Sequence, residues 1–254
     1  MDYEEALKMY RYFLKDSVRK KVNFGQTDQN RGVETPPVEK PVRDGAILID
    51  LPGKDIWQIP EKDLTSAIGD RKSHRKYKNE PLTMDELSYL LWTTQGVRGE
   101  TSETRAYRNV PSAGCRHSFE TYLAILNIKG LKPGIYRYLP LSHQLVFEFS
   151  VDMLAEKIVI ASFGQPYPGG AAVTFIWTSI PYRMEWRYGI AAHKVIAIDV
   201  GHVCQNLYLA CEAIGAGTCA IAAYDQEEMD ALIDVDGEDE FAIYLAPVGK
   251  IVQS

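Results

Sequence analysis

The pattern of hydrophobic and polar positions alternates between helical and extended periodicity along this chain. The longest regular stretch, about residues 190–214, has apolar residues at alternating spacings of four and three, which predicts a long helix with one buried face. The segments "FETYLAILNI", "GIYRYL" and "QLVFEF" within 119–149, and "AAVTFIWTSI" at 171–180, have the composition and period of strands. This order predicts a single α+β domain with a central mixed or antiparallel sheet flanked by helices.

Local signals give the limits of several shorter elements. Thr83 followed by Glu86 fits a capping box, the leucines after it form an apolar face, and Gly96 is a candidate end for that helix. Helical spacing also predicts helices at 3–20 and 151–164. The last part of the chain is predicted as strand "TCAIAAY", helix "DQEEMDALI" and strand "FAIYLAPVG".

The first 60 residues differ in composition from the rest. After the predicted helix, the stretches "VETPPVEKPVRDG" and "LPGKDIWQIP" are rich in proline, glycine and charge. Such a segment is typical of an extended arm laid over a surface. We therefore divide the chain into an N-terminal helix and Pro-rich arm, residues 1–60, and a main domain, residues 61–254.

Composition and charge narrow the class of ligand. The formal net charge is −6, which disfavours general nucleic-acid binding and favours a small-molecule or peptide ligand. The most apolar stretch is about half of a membrane span, and the start "MDYEEALKMYRYF" does not resemble an export signal. The four cysteines include no C-x-x-C pair. We expect a reduced cytoplasmic protein without a metal site.

One stretch, "RKSHRKY" at 71–77, is strongly basic within this acidic chain. Arg71 and Arg75 carry guanidinium groups, whose geometry suits bidentate phosphate binding, and Ser73 lies between them with a hydroxyl donor. The alternative interpretation is a solvated basic face.

Two further stretches consist largely of small residues. In "NVPSAGCRHSFETY", Pro111 and Gly114 bracket two small residues, so a flat ligand could contact the backbone; an ordinary strand-entry turn is the alternative. In "GAGTCAIAA", Gly215 can end the long helix in the left-handed conformation, and Gly217 with Thr218 leaves backbone N–H groups open. All three stretches together favour a phosphorylated, planar cofactor.

A glycine inside the long helix is also notable. Gly201 costs about 1 kcal/mol relative to alanine. Close packing against another helix or a planar ligand would offset that cost.

The order of these pieces resembles that of a known family. The series "RKSHRKY", "PLTMDELSYLLW", "PSAGCRHSFETY", "PGIYRYLP", "RYG", "IDVGHVCQNLYLACEAIGAGTCAIAAYD" and "YLAPVGK" is similar to that of SagB-type dehydrogenases of the nitroreductase superfamily, over about residues 60–250. The resemblance implies a nitroreductase-like fold and an intertwined homodimer that binds FMN at the subunit interface. Residues 61–254 would then form the FMN-binding domain, and the arm would cross the partner.

The resemblance also implies which residues contact FMN. Arg71, Ser73 and Arg75 would hold its phosphate and the polar edge of the flavin. A second group would lie against the isoalloxazine ring, from the other subunit: Pro111, Ser112, Ala113 and Gly114. A third group would form the wall near flavin N5: Gly215, Gly217, Thr218 and the backbone through Ala222. Lys250 would place a cation near the phosphate.

The activity implied is FMN-dependent hydride transfer through N5, to or from a small organic or peptide-derived substrate, with NAD(P)H as a candidate electron donor. Tyr188 is the candidate acid or base, and a packing role is its alternative. SagB-type enzymes that oxidise thiazolines and oxazolines carry a Lys-Tyr pair where this chain has Arg187 and Tyr188. Arginine keeps its proton and cannot act as a base, which disfavours that reaction. The alternatives are azoline dehydrogenase, NAD(P)H-dependent nitroreductase-like enzyme and non-enzymatic flavin-containing peptide-docking protein.

Overall fold

A seven-stranded antiparallel sheet forms the centre of the computed structural model, which describes residues 2–102 and 104–251. Its strands run in the order β1-β6-β5-β4-β7-β9-β8, and a separate hairpin pairs β2 with β3. The strands are β1 (Ile47–Asp50), β2 (Val97–Ser102), β3 (Arg105–Arg108), β4 (Phe119–Ile125), β5 (Gly134–Leu139), β6 (Gln144–Phe149), β7 (Val173–Ser179), β8 (Ala216–Thr218) and β9 (Phe241–Lys250).

Helices cover both faces of this sheet. They are α1 (Tyr3–Leu14), α2 (Leu64–Asp70), α3 (Met84–Gln95), α4 (Leu154–Ala161), α5 (Tyr182–Tyr188), α6 (Ala192–Ala213) and α7 (Gln226–Ile233). Leu123 of β4 joins the core beneath α3 and α6, while its neighbours Tyr122 and Ala124 join the core beneath α4 and α7. Because successive strand residues point to opposite faces, β4 is buried on both sides. The α+β prediction is confirmed.

The capping box and the long helix lie where the sequence predicts them. The Thr83 Oγ1 accepts the backbone N–H of Glu86 at 3.2 Å, and the Glu86 Oε2 accepts that of Thr83 at 2.9 Å. In α6, Ile196, Val200 and Leu207 are buried on the predicted apolar face.

Three predicted limits are wrong. The helix predicted at 3–20 ends at Leu14, with a 3₁₀ turn after it, and the one predicted at 151–164 covers only residues 154–161. The strand predicted from "TCAIAAY" lies earlier, at β8. After β8 the Ala220 N–H donates to the Tyr208 hydroxyl at 2.9 Å instead of to the sheet, and Ile221 then returns to the sheet as an isolated bridge with Leu245.

The Pro-rich arm packs along its own chain. Val38 is fully buried, and its carbonyl accepts the Arg108 Nη2 at 2.7 Å. Further on, β1 pairs with β6 and becomes the edge strand, an element that the sequence analysis missed. In contrast, α1 has no buried residue.

A buried ion network joins the arm, the sheet and α5. The Glu120 carboxylate accepts the Arg183 Nη2 at 2.6 Å and the backbone N–H of Lys40 at 2.8 Å, and lies 3.5 Å from the Arg137 Nη1. Burial by itself would raise the pKa of Glu120, but Arg183 and Arg137 hold it below its ordinary value. This carboxylate therefore fixes the position of α5 relative to the sheet.

We expect Glu120→Gln to lower the free energy of unfolding by about 3 to 5 kcal/mol, because Arg183 and Arg137 would lose a buried partner. Urea unfolding at pH 7 measures this, with exposed Glu4→Gln as the control. Because the pKa of Glu120 is lower in the folded than in the unfolded protein, its charge stabilises the fold fully above the unfolded pKa of about 4.3. That stabilisation is lost as the pH falls through the folded pKa. The difference from wild type should therefore shrink in more acidic buffer; a loss equal to the control's would contradict the assignment.

Candidate functional site

The basic segment at residues 71–77 is extended and lies alongside β8. Ser73 forms a parallel bridge with Thr218, and the His74 N–H donates to the Thr218 carbonyl at 2.9 Å. The structure therefore brings Arg71, Ser73 and Arg75 close to the segment from Gly215 to Thr218. This proximity is what one binding site formed by both segments requires.

The two arginines of this segment retain uncompensated charge. Within residues 2–102 and 104–251 neither Arg71 nor Arg75 forms an ion pair. The Arg71 Cζ lies 5.3 Å from the centre of the Tyr208 ring, and the Arg75 Cζ lies 6.0 Å from that of Tyr167. Stacking on a ring leaves the N–H donors of a guanidinium available to an anion.

Tyr208 is a site residue that the sequence analysis missed. Its hydroxyl lies 3.1 Å from the Ser73 Oγ and accepts the Ala220 N–H at 2.9 Å. It therefore connects the basic segment with the turn after β8. The available signal was a tyrosine beside the buried Leu207, less than two turns before the glycine-rich stretch.

Small residues allow the two segments to approach. A Cβ on Gly217 would lie 2.5 Å from the Ile251 Cγ2 and 2.6 Å from the His74 Cδ2, so a larger residue would require these two side chains to shift. The Thr218 Oγ1 is buried and has no hydrogen-bond partner among the described residues. Gly215 follows α6 with φ of +60°, which confirms the left-handed helix end.

The loop at residues 111–114 lies beside α5 and the first half of α6. Its Gly114 has φ of +59°, and a Cβ there would lie 2.7 Å from the Tyr188 Oη and 2.8 Å from the Arg187 Nε. The Ala113 N–H donates to the Asp199 Oδ2 at 3.1 Å, and the Ser112 Oγ accepts the His117 N–H at 3.0 Å.

Asp199 of this network is a second residue that the sequence analysis missed. Burial raises the pKa of Asp199, and hydrogen bonds from Ser112 and Ala113 oppose that rise. It holds the loop that carries Pro111, Ser112, Ala113 and Gly114.

The loop at residues 111–114 and the basic segment at residues 71–77 contact α6 at two different points. Asp199 contacts the loop and Tyr208 contacts the basic segment, nine residues and therefore about 13 to 14 Å apart along the axis. On its outer face α6 is uncovered: Gly201 is exposed with open space at its Cβ position, and Ile198 is 49% exposed.

Lys250 and Ala222 lie near β8, but neither contacts Arg71 or Arg75 through a hydrogen bond or ion pair among the described residues. Lys250 is opposite Ala216 in the sheet, but its ammonium binds the Glu86 carboxylate and the Ile214 carbonyl. Ala222 is exposed in the turn after β8. The ion pair of Lys250 competes with its predicted role near a phosphate, which stays a prediction.

Residues 2–102 and 104–251 contain neither a candidate membrane span nor a candidate metal cluster. They contain no helix that is both long and apolar enough to cross a membrane. In that same part of the chain, no group of three or more His, Cys, Asp or Glu side chains is arranged to hold a metal ion.

Comparison with known proteins identifies relatives over most of the chain. The Nitroreductase family model matches residues 68–250. The protein MJ1384 of Methanocaldococcus jannaschii, named as a nitroreductase, is 29% identical over 195 residues, which are 77% of this chain and 94% of that protein. The trifolitoxin-processing protein TfxB of Rhizobium leguminosarum bv. trifolii is 26% identical over 59% of this chain and 41% of its own length.

A solved structure has the same fold. The crystal structure of a protein from Ralstonia eutropha JMP134, also named as a nitroreductase, superposes with a TM-score of 0.68 at 24% identity. The alignment covers 87% of this chain and 96% of that one. The predicted nitroreductase-like fold is confirmed.

We expect Tyr208→Phe to lower the free energy of unfolding by about 1 to 3 kcal/mol, because the Ala220 N–H would lose its acceptor. Urea unfolding and amide hydrogen exchange of the turn after β8 measure the effect. Tyr10→Phe, at a side chain that is 67% exposed, is the matched control and should change stability by less than about 0.5 kcal/mol. Equal stability of the two variants would contradict the connecting role of Tyr208.

Proposed function

Because the chain belongs to the nitroreductase family, whose members are oxidoreductases, we propose that it is an FMN-dependent enzyme of the SagB type. It would transfer a hydride to or from a small organic or peptide-derived substrate. The observation that carries this proposal is the pair of uncompensated guanidinium groups, Arg71 and Arg75, held beside β8 by the Ser73 bridge.

The residues near β8 fit a phosphorylated flavin. Arg71 and Arg75 offer charged donors for a phosphate, and Ser73 adds a hydroxyl. The buried Thr218 Oγ1 without a partner is a further donor or acceptor for a polar group, among the described residues. FMN, when bound, supplies a ring nitrogen that accepts and delivers a hydride. Backbone donors from Gly215 to Ala222 would orient that ring.

We propose further that the site is shared between two copies of the chain. The loop at residues 111–114 and the basic segment contact different parts of α6, and the outer face of that helix is exposed at Gly201 and Ile198. A second α6 packed there would offset the helix-destabilising glycine and bring the loop of one copy toward the arginines of the other.

Tyr188 is the proposed group that holds or moves a proton at the substrate. Its hydroxyl lies against Gly114, beside the loop proposed to contact the flavin. Its neighbour Arg187 stays charged at any working pH, so it can orient a substrate but cannot accept a proton.

Two alternatives each have an observation in their favour. The match to MJ1384, over 94% of that protein, favours an NAD(P)H-dependent nitroreductase-like enzyme. The match to TfxB favours a peptide-derived substrate, including azoline oxidation or peptide docking without turnover. Anaerobic mixing of the FMN-loaded protein with NADH or NADPH separates them, since only the first alternative requires rapid bleaching of the flavin absorbance.

We expect Arg71→Ala and Arg75→Ala each to weaken FMN binding about 10- to 150-fold, because a charged hydrogen bond to phosphate would be lost. Quenching of FMN fluorescence by the apoprotein measures the Kd. Arg43→Ala is the matched control, since the exposed Arg43 pairs with Glu148 of β6. Unchanged Kd values for Arg71→Ala and Arg75→Ala would contradict the phosphate assignment.

The shared site predicts complementation between variants. Arg71→Ala/Arg75→Ala would damage the phosphate end and Gly114→Leu the ring face, so each homodimer would lose FMN. In a co-expressed heterodimer, one site combines two damaged halves and the other two intact halves, and we expect about one FMN per dimer. Absorbance of the doubly tagged heterodimer measures this stoichiometry. A wild-type monomer that retains FMN in sedimentation would contradict the shared site.

A further inference from the structure

Three guanidinium groups converge where α5 meets the loop at residues 111–114. Arg183 and Arg187 lie one turn apart on α5, and the Arg116 Nε donates to the Arg183 carbonyl at 3.1 Å. Burial lowers the pKa of Arg116, and the charges of Arg187 and Arg183 lower it further. These cations therefore lie close enough to repel one another.

Among the described residues, a single carboxylate, that of Glu120, forms an ion pair with a member of this cluster. Arg183 binds Glu120 at 2.6 Å, although its Nη1 has no partner among residues 2–102 and 104–251. Arg116 is satisfied without an acid: it donates to the Pro36 carbonyl at 3.3 Å and lies 5.0 Å from the centre of the Trp186 ring.

Arg187 is the uncompensated member. Its side chain is half-buried, and it forms neither an ion pair nor a hydrogen bond with the part of the chain that the structure describes. The acid nearest to it in sequence, Glu185, binds His193 at 2.7 Å instead. A half-buried guanidinium without a protein partner keeps its N–H donors available to an incoming anion.

The location of Arg187 connects it with the proposed site. Its Nε lies against Gly114, where a Cβ would approach within 2.8 Å, and the Tyr188 Oη lies at the same glycine. A molecule stacked on a flavin ring at this loop would have the guanidinium at its edge. A permanently charged planar fork matches a carboxylate through two parallel hydrogen bonds, more specifically than a lysine does.

We propose that Arg187 binds a carboxylate of the substrate, with Arg116 adding positive potential behind it, so that the enzyme selects anionic planar substrates over neutral ones. This inference rests on the proposed function, because it takes the loop at residues 111–114 to border the flavin. It adds the substrate class: a planar acid that carries a carboxylate in addition to the group that is oxidised or reduced.

The test uses the FMN-loaded wild-type protein and two probes of nearly equal shape, benzoate and benzamide. Each is titrated while the visible spectrum of the flavin is recorded, which requires no turnover. We expect benzoate to bind at least about 10-fold more tightly, with a preference that declines as salt rises. Arg187→Gln should weaken benzoate binding about 10- to 150-fold and leave benzamide unchanged, whereas Arg187→Lys should restore part of the preference.

Arg31→Gln is the matched control. It removes the same charge from the arm, where Arg31 already pairs with Asp28 at 3.4 Å, and should keep the full preference for benzoate. A second measurement uses photochemically reduced protein with 4-nitrobenzoate and 4-nitrobenzamide. In Arg187→Gln the half-saturating concentration of 4-nitrobenzoate should rise while the limiting rate stays the same.

The outcomes separate the two proposals. Wild-type protein that binds no FMN overturns the proposed function and this inference with it. FMN-loaded wild type that binds both probes equally, or Arg187→Gln that retains the preference, overturns the inference alone. Arg187→Gln that loses FMN as Arg75→Ala is expected to do would mean that the guanidinium serves the cofactor, which also overturns the inference.

Discussion

The close packing of the His74 and Ile251 side chains on Gly217 determines the geometry of the candidate site. The segment at residues 71–77 lies against β8 so tightly that a single methyl group at position 217 would collide with His74 and Ile251. The bridge from Ser73 to Thr218 depends on this contact, and so do the positions of Arg71 and Arg75 on either side of Ser73. A flexible basic loop would lose more entropy on binding a phosphate, whereas this one is already ordered.

Arg71, Arg75 and Arg187 form no ion pair with the described residues of a protein of net charge −6. Arg71 is half-buried and Arg75 is exposed, and each lies over a tyrosine ring. Arg187 is likewise half-buried and lies beside two other cations, Arg116 and Arg183. Each of these three guanidinium groups lies near a tyrosine ring, Arg187 with its Cζ 5.6 Å from the centre of the Tyr188 ring, and no carboxylate of the described residues neutralises it. This is the arrangement expected of a binding group rather than of a structural ion pair such as Glu120 with Arg183.

The sequence predicted those elements that are stabilised by interactions between residues close together in the chain. The capping box of Thr83 and Glu86, the periodic face of α6 and the alternating strands need only neighbours a few residues away. The elements missed depend on distant partners: β1 forms because it pairs with β6, and β8 ends early because Tyr208 takes the Ala220 N–H. The same holds within the site, since Asp199 acts on a loop 86 positions away and Lys250 meets Glu86 from 164 positions away.

The separation of the site residues along α6 follows from helix geometry and limits what one chain can do. Asp199 and Tyr208 are buried and half-buried members of a rigid helix, so the loop and the basic segment that they hold cannot approach each other by a local rearrangement. The outer face of α6 exposes Gly201 and Ile198 beside the polar His202 and Gln205, and none of the exposed residues of α6 is Asp, Glu, Lys or Arg. A chain that must combine both groups around one planar ligand can do so either along this face or across a second copy packed on it. The second arrangement also accounts for Gly201, because a glycine at a helix crossing lets the two backbones approach closely.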